Sequence, residues 1–196
     1  MIPRSTGRHM VALATGTLAA VLLTVGMAIA QGRSTDGPAF VGQAVQTPAE
    51  SADRANVVQT VDAVFTQFDA KDWDGLGSLF ADQVRIDFSS LGGPRTSVAR
   101  EELIDGWRAA FAGNKTSLHQ TGNHQVRIEG DTAEVFLHGY AYNALARPYG
   151  DDVWETWGTY RFSLRRVAGM RWEITREQYV SLRTEGNEGV RDAVGG

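Results

Sequence analysis

The chain has 196 residues, 42% hydrophobic and 21% charged, which suits one compact domain with appendages and excludes collagenous, coiled or low-complexity architectures. A formal charge of −4 leaves no electrostatic footprint for nucleic acid. Without cysteine there is no disulfide, no thiol nucleophile and no lipid anchor on a thiol, so the fold rests on core burial alone.

Arg4 and Arg8 precede an acid-free apolar run from Val11 to Ala30 that ends in Ala28-Ile29-Ala30, the small-x-small pattern of a cleavage site. Residues 1–30 therefore read as an export signal cut after Ala30. An uncleaved membrane anchor is the rival, because about 20 apolar residues just span a bilayer. Both readings place the domain outside the cytoplasm: secreted, periplasmic or in the cell envelope. Residues 31–51, with Gly32, Gly37, Pro38, Gly42 and Pro48 and few large apolar groups, predict a flexible tether.

Val57, Val61, Val64, Phe65 and Phe68 recur at helical spacing and predict a first helix from Ala52 to Lys71, with Asp69 beside the apolar stripe. Trp73, Leu76, Leu79 and Phe80 mark a short second helix. Val84, Ile86 and Phe88 alternate with Arg85 and Asp87, the pattern of a strand buried on one face. Thr96 or Ser97 is expected to cap a third helix whose inner face holds Leu103, Ile104, Trp107 and Phe111, ending at Gly113. Strands follow over 116–128, 132–146, 153–167 and 171–182, joined by short turns that favour antiparallel pairing. The layout is α+β, a domain over 52–182 with helices on one face of a curved sheet, and a disordered tail over 183–196.

Three strings carry a resemblance: Asp69 with Lys71-Asp72-Trp73, Val84 to Phe88, and His119-Gln120-Thr121-Gly122-Asn123-His124 running on to Ala133. In these the chain resembles the NTF2-like superfamily, in its SnoaL-like and scytalone-dehydratase-like branch. The resemblance implies a cone of three helices closing a strongly bent sheet around a deep apolar pocket. It also implies that Asp69 and His119 meet there as an acid–histidine dyad. A carboxylate fixes the imidazole tautomer and favours its protonated form, which suits proton transfer near neutral pH. Two positions depart from scytalone dehydratase, where tyrosines hold the water that polarises a carbonyl: the matching residues here are Phe68 and Phe88, which cannot donate. Another donor is then needed, and Tyr140, Tyr142, Tyr160 or a tryptophan indole are the candidates.

These residues predict a cofactor-free lyase, isomerase or cyclase acting on a small apolar, even polycyclic, ligand. Asp69 and His119 would be its catalytic pair, and Phe68, Trp73, Phe88, Trp107, Tyr140, Tyr142 and Tyr160 its pocket wall. His124, separated from His119 by a Gly122-Asn123 bulge, is the alternative histidine, because parity across a bulge is undecided. No metal-ligand spacing is present in the sequence. Phe136, His138, Tyr140 and Tyr142 share one strand face and Val135, Leu137 and Ala141 the other, so one face is expected at the pocket and the other at a homodimer interface. The competing function is a non-catalytic module binding an apolar ligand or a protein partner.

Overall fold

The computed structural model describes residues 47–193. The segment expected to be an export signal and most of the expected tether lie outside them. Eleven elements follow in order: α1 (Pro48–Ala70), α2 (Trp73–Ser78), β1 (Phe80–Asp87), a 3-10 turn (Ser89–Leu91), β2 (Arg95–Ala99), α3 (Arg100–Ala110), β3 (Thr116–Glu129), β4 (Thr132–Ala144), β5 (Val153–Arg166), β6 (Trp172–Gly186) and α4 (Glu188–Asp192). One six-stranded sheet runs β2-β1-β6-β5-β4-β3, antiparallel throughout except for the parallel β1–β6 pair. This is the α+β arrangement of helices on a curved, mainly antiparallel sheet.

The first helix starts earlier than its apolar stripe. Thr47 and Glu50 form a reciprocal capping box around Pro48, the Thr47 hydroxyl accepting from Glu50 N at 3.2 Å and Glu50 Oε2 accepting from Thr47 N at 2.7 Å. Such a cap is worth about 0.5–2 kcal/mol and pulls residues 48–51 out of the expected tether. Lys71, at φ 56° in the left-handed region, stops the helix two residues after Asp69. Val57, Val61, Val64, Phe65 and Phe68 are buried against the sheet, each worth about 1.5–3 kcal/mol of apolar transfer. Asp53 docks the start of α1 by accepting two bonds from the Arg166 guanidinium, at 2.8 and 2.6 Å, and one from the Trp172 indole at 3.0 Å. Arg166 thus joins helix to sheet.

Three local expectations are corrected. Thr96 and Ser97 do not cap α3; they lie in β2, paired with Ile86 and Arg85 of β1, and the helix starts from Ala99 without a side-chain cap. Pairing two backbones satisfies more donors and acceptors than one hydroxyl cap can. Phe88 falls just past β1, where the chain turns into the 3-10 segment. Residues 183–193 are not a disordered tail: β6 continues to Gly186, and α4 buries Val190. The fully buried Lys115 donates to the carbonyls of Arg191 and Ala193, both at 2.9 Å, fastening that segment.

Gly139 and Gly158, cross-strand partners in β4 and β5, make room on the concave face. A Cβ on Gly139 would lie 2.5 Å from the Tyr160 ring, and one on Gly158 2.4 Å from Val180 O and 2.5 Å from the Tyr179 hydroxyl. Gly158→Ala is expected to destabilise the domain by about 1–3 kcal/mol through overpacking. Gly122→Ala, whose added Cβ meets nothing within 4 Å, should leave stability nearly unchanged. Urea denaturation midpoints of the two variants provide the comparison.

Candidate functional site: an acid–histidine pair and a buried glutamate around one cavity

Asp69 is placed by the last turn of α1 and His119 by β3. The carboxylate accepts three hydrogen bonds at 2.7 Å each: from Ser117 Oγ, from the His119 backbone N–H and from His119 Nδ1. A carboxylate only accepts, so Nδ1 carries the hydrogen, and in the neutral ring the lone pair is on Nε2. Burial raises the Asp69 pKa, but the bond and charge of His119, the Ser117 hydroxyl and the His119 amide outweigh it and hold the carboxyl below its ordinary value. Phe65 and Phe68 flank the imidazole, with ring centroids 5.3 and 5.4 Å away, and fix its plane.

His119 opens onto a cavity of about 160 Å³ whose wall includes Phe65, Phe68, Phe88, Trp107, Phe111, Trp154, Tyr160 and Tyr179, with Asn143, Thr156 and Glu177 among its polar members. Of the expected lining residues, Phe68, Phe88, Trp107, Tyr160 and His119 stand there, and Asp69 stands behind the imidazole. Trp73 does not: it packs edge-on against Phe68 at 5.6 Å and borders a separate groove beside α3. Tyr140 and Tyr142 do not line it either. Ala141 and Asn143 occupy the concave face of β4, because alternation from the buried Val135 and Leu137 through Gly139 turns them inward and the two tyrosines outward. Tyr140 instead donates to Glu155 at 2.6 Å and packs on Trp157 on the convex face; that bond, with burial, pushes its pKa up to about 12.

Both β3 histidines face α1. Asn123, at φ 58°, sits in a bulge between Gly122 and Gln125 that changes the strand's parity. His124 Nε2 thereby reaches Asp62 Oδ1 at 2.8 Å, away from the cavity-lining residues, while His119 faces the cavity. Among the described residues no cluster of three or more His, Asp or Glu could hold a metal ion, and no helix is long and apolar enough to cross a membrane.

Glu177 has no counterpart among the sequence-derived candidates. It is 4% exposed, lines the cavity, and makes no hydrogen bond with the described residues; its Oε2 is sealed from solvent without a partner. Burial pushes its pKa up to about 8. Simple alternation from Trp172 and Ile174 would turn Arg176 inward. An extra residue, Thr175, lies between the pairs Ile174–Leu164 and Arg176–Ser163, so Glu177 takes the inward position instead. Nearby, the Tyr179 hydroxyl shares a 2.7 Å bond with Thr156. Tyr160, whose phenol is raised well above its usual pKa by burial and by Tyr179, Glu177 and Asp69, makes no hydrogen bond with the described residues.

The comparisons with known proteins identify the family and the fold. The profile of the SnoaL-like domain matches residues 49–177. The chain belongs to the SnoaL-like family. An uncharacterised protein of Mycobacterium tuberculosis is 30% identical over 96 residues, 48% of this chain and 63% of that protein. The matched segment thus spans less than two thirds of that relative. A protein from Kribbella flavida superposes with a TM-score of 0.68 at 25% identity, covering 74% of this chain and 99% of that one. A candidate scytalone dehydratase from Novosphingobium aromaticivorans has a TM-score of 0.61 at 14% identity over 72% of this chain and 92% of its own. A hexachlorocyclohexane dehydrochlorinase has a TM-score of 0.58 at 13% identity over 74% and 95%. At 14% and 13% identity these last two show the NTF2-like fold alone.

Glu177 makes stability depend on pH. Its folded pKa of about 8 lies above the ordinary 4.5, so its contribution is full below about pH 4.5, where both states are protonated. Between those values the unfolded chain alone has lost the proton, and stability falls by about 1.4 kcal/mol per pH unit. Above about pH 8 the loss levels off. Glu177→Gln is expected to remove this slope, so its melting temperature relative to wild type should rise steadily from pH 5 to pH 8. Parallel melting curves for the two proteins would reject the buried neutral acid.

Proposed function

We propose that this SnoaL-like domain is a proton-transfer enzyme, a lyase or isomerase that works without a cofactor on a small, largely apolar ligand, and that it acts outside the cytoplasm. The observation that carries the reading is the 2.7 Å bond between Asp69 Oδ1 and His119 Nδ1, with the remaining ring nitrogen free for a ligand in an aromatic cavity. His119 would take and return the proton. Asp69 would position it and stabilise the imidazolium that forms. An apolar cavity of about 150 Å³ accepts benzene, so a space of about 160 Å³ favours one ring over a polycyclic skeleton. The convex sheet face, with Phe136, Tyr140, Trp157 and Val180 half-exposed, supports a homodimer through the sheet.

A second reading, an apolar-ligand binding module without catalysis, is favoured by Phe68 and Phe88. They occupy cavity positions where a hydroxyl would otherwise serve the chemistry.

The two readings part in deuterated buffer. Wild-type protein incubated with small monocyclic ketones, acetophenone and cyclohex-2-enone, is expected to speed α-deuteration measured by mass spectrometry. His119→Ala should lose about 10²- to 10⁴-fold of that rate, the usual worth of a positioned acid–base group. Asp69→Asn should lower the rate while leaving the ketone Kd unchanged, and His124→Gln should change neither. Equal rates for wild type and His119→Ala would leave the binding reading.

A further inference from the structure

Two ionisable groups of the cavity come from different strands and differ in their support: His119 is held from behind by Asp69, and the Glu177 carboxyl has no hydrogen-bond partner among the described residues. A buried carboxyl without a protein hydrogen bond costs free energy that a neighbouring donor or acceptor would normally offset. Glu177 has neither, although it lies among aromatic side chains in the wall of a cavity. The titratable groups sharing this space are His119 from β3, Tyr160 from β5 and Tyr179 from β6, with Asp69 of α1 behind the histidine. Neither lysine nor arginine lines the cavity, so no cation is present to hold Glu177 as a carboxylate. Its neutral form is a donor as well as an acceptor, and its missing partner is then an acceptor brought by the ligand.

We propose that Glu177 is the hydrogen-bond donor of this site, that it binds the carbonyl oxygen of a small monocyclic ketone or aldehyde, and that His119 moves the proton on the carbon next to that carbonyl. This rests on the proton-transfer reading above and adds to it the substrate class and the second catalytic residue. It also supplies the donor that Phe68 and Phe88 cannot. In the forward step His119 Nε2 takes the α proton, breaking C–H and forming N–H. The electron pair enters the bond between the α and carbonyl carbons, and the carbonyl π pair moves onto oxygen. That oxygen takes the Glu177 proton and becomes an enol, leaving Glu177 as carboxylate and His119 as imidazolium. Collapse returns the enol proton to Glu177 and delivers the His119 proton to carbon, at the same position or a conjugated one. Nothing is oxidised or reduced, and no co-reactant is needed.

Strand alternation alone would assign Glu177 to the convex face. The extra residue at Thr175 places it inside, as the two buried residues on either side of the shift, Ile174 and Tyr179, attest.

The test compares acetophenone with α-methylstyrene, which replaces C=O by C=CH₂ at similar size and offers no oxygen acceptor. Equilibrium binding is followed by ligand NMR at about pH 6 and about pH 9.5. Wild type is expected to favour acetophenone by about tenfold at the lower pH, the scale of one buried hydrogen bond, and to lose the preference at the higher pH. Glu177→Gln, whose amide donates at any pH, should keep the preference at both; Glu177→Leu should lose it at both. An infrared band of a neutral carboxyl at pH 6, absent from Glu177→Gln, gives a readout that needs no ligand. Equal binding of the two probes by wild type, binding of neither, or a preference that survives Glu177→Leu but not Tyr160→Phe would overturn the inference. His119→Gln separates the two readings. It should abolish deuterium exchange and leave the carbonyl preference intact. Exchange without preference sinks the Glu177 role alone, whereas Glu177-dependent preference without exchange keeps its carbonyl-binding role and sinks the proton transfer.

Discussion

The Asp69 carboxylate is the point at which helix and sheet become one site. Three 2.7 Å hydrogen bonds join the last turn of α1 to Ser117 and His119 on β3. The same contact fixes the imidazole tautomer and the strand's approach to the helix. A half-buried carboxylate with fewer partners would incur a desolvation cost without compensation. Its charge, its placement and its use are therefore one constraint. Two residues later the left-handed Lys71 ends the helix, so the acid falls in the final turn, where the chain is still rigid but the sheet is already within reach.

Around that contact the cavity is asymmetric. The helix side, from Phe65, Phe68, Trp107 and Phe111, is aromatic and without hydroxyls. The sheet side, from Thr156, Tyr160, Glu177 and Tyr179, carries the polar atoms. A flat ligand would have its face against the helices and its polar edge toward the sheet. Such a division between apolar walls and a few placed polar groups is the usual constitution of a small-molecule pocket.

Much of this was legible in the sequence, and the failures have physical causes. Helical spacing located α1 and the neighbourhood of Asp69, since a one-sided stripe leaves few alternatives. The α1 start was missed because Thr47 and Glu50 act through a reciprocal cap that hydrophobic periodicity does not register. Thr96 and Ser97 suit a cap or an edge strand equally well, and only pairing with β1, a non-local event, decides between them. Both faces of β4 carry large apolar groups, so alternation alone does not say whether Tyr140 and Tyr142 or Val135, Leu137 and Ala141 turn to the pocket; packing against the helices decides for the second set. His124 and Glu177 both lie beyond bulges, one at Asn123 and one at Thr175, and each bulge reverses the face on which later residues fall. Such irregularities leave almost no mark in composition.

The bulge at Thr175 has a further meaning for how this pocket could change. Arg176 and Glu177 are adjacent, one a base and one an acid, and on opposite faces of the same strand. Which of them enters the cavity is decided by a single surplus backbone residue and not by either side chain. Were β6 to alternate past Ile174 without the bulge, Arg176 would enter the cavity and Glu177 would leave it, setting a guanidinium where the carboxyl now stands. Whether the pocket holds an acid or a base is thus a property of the strand's register.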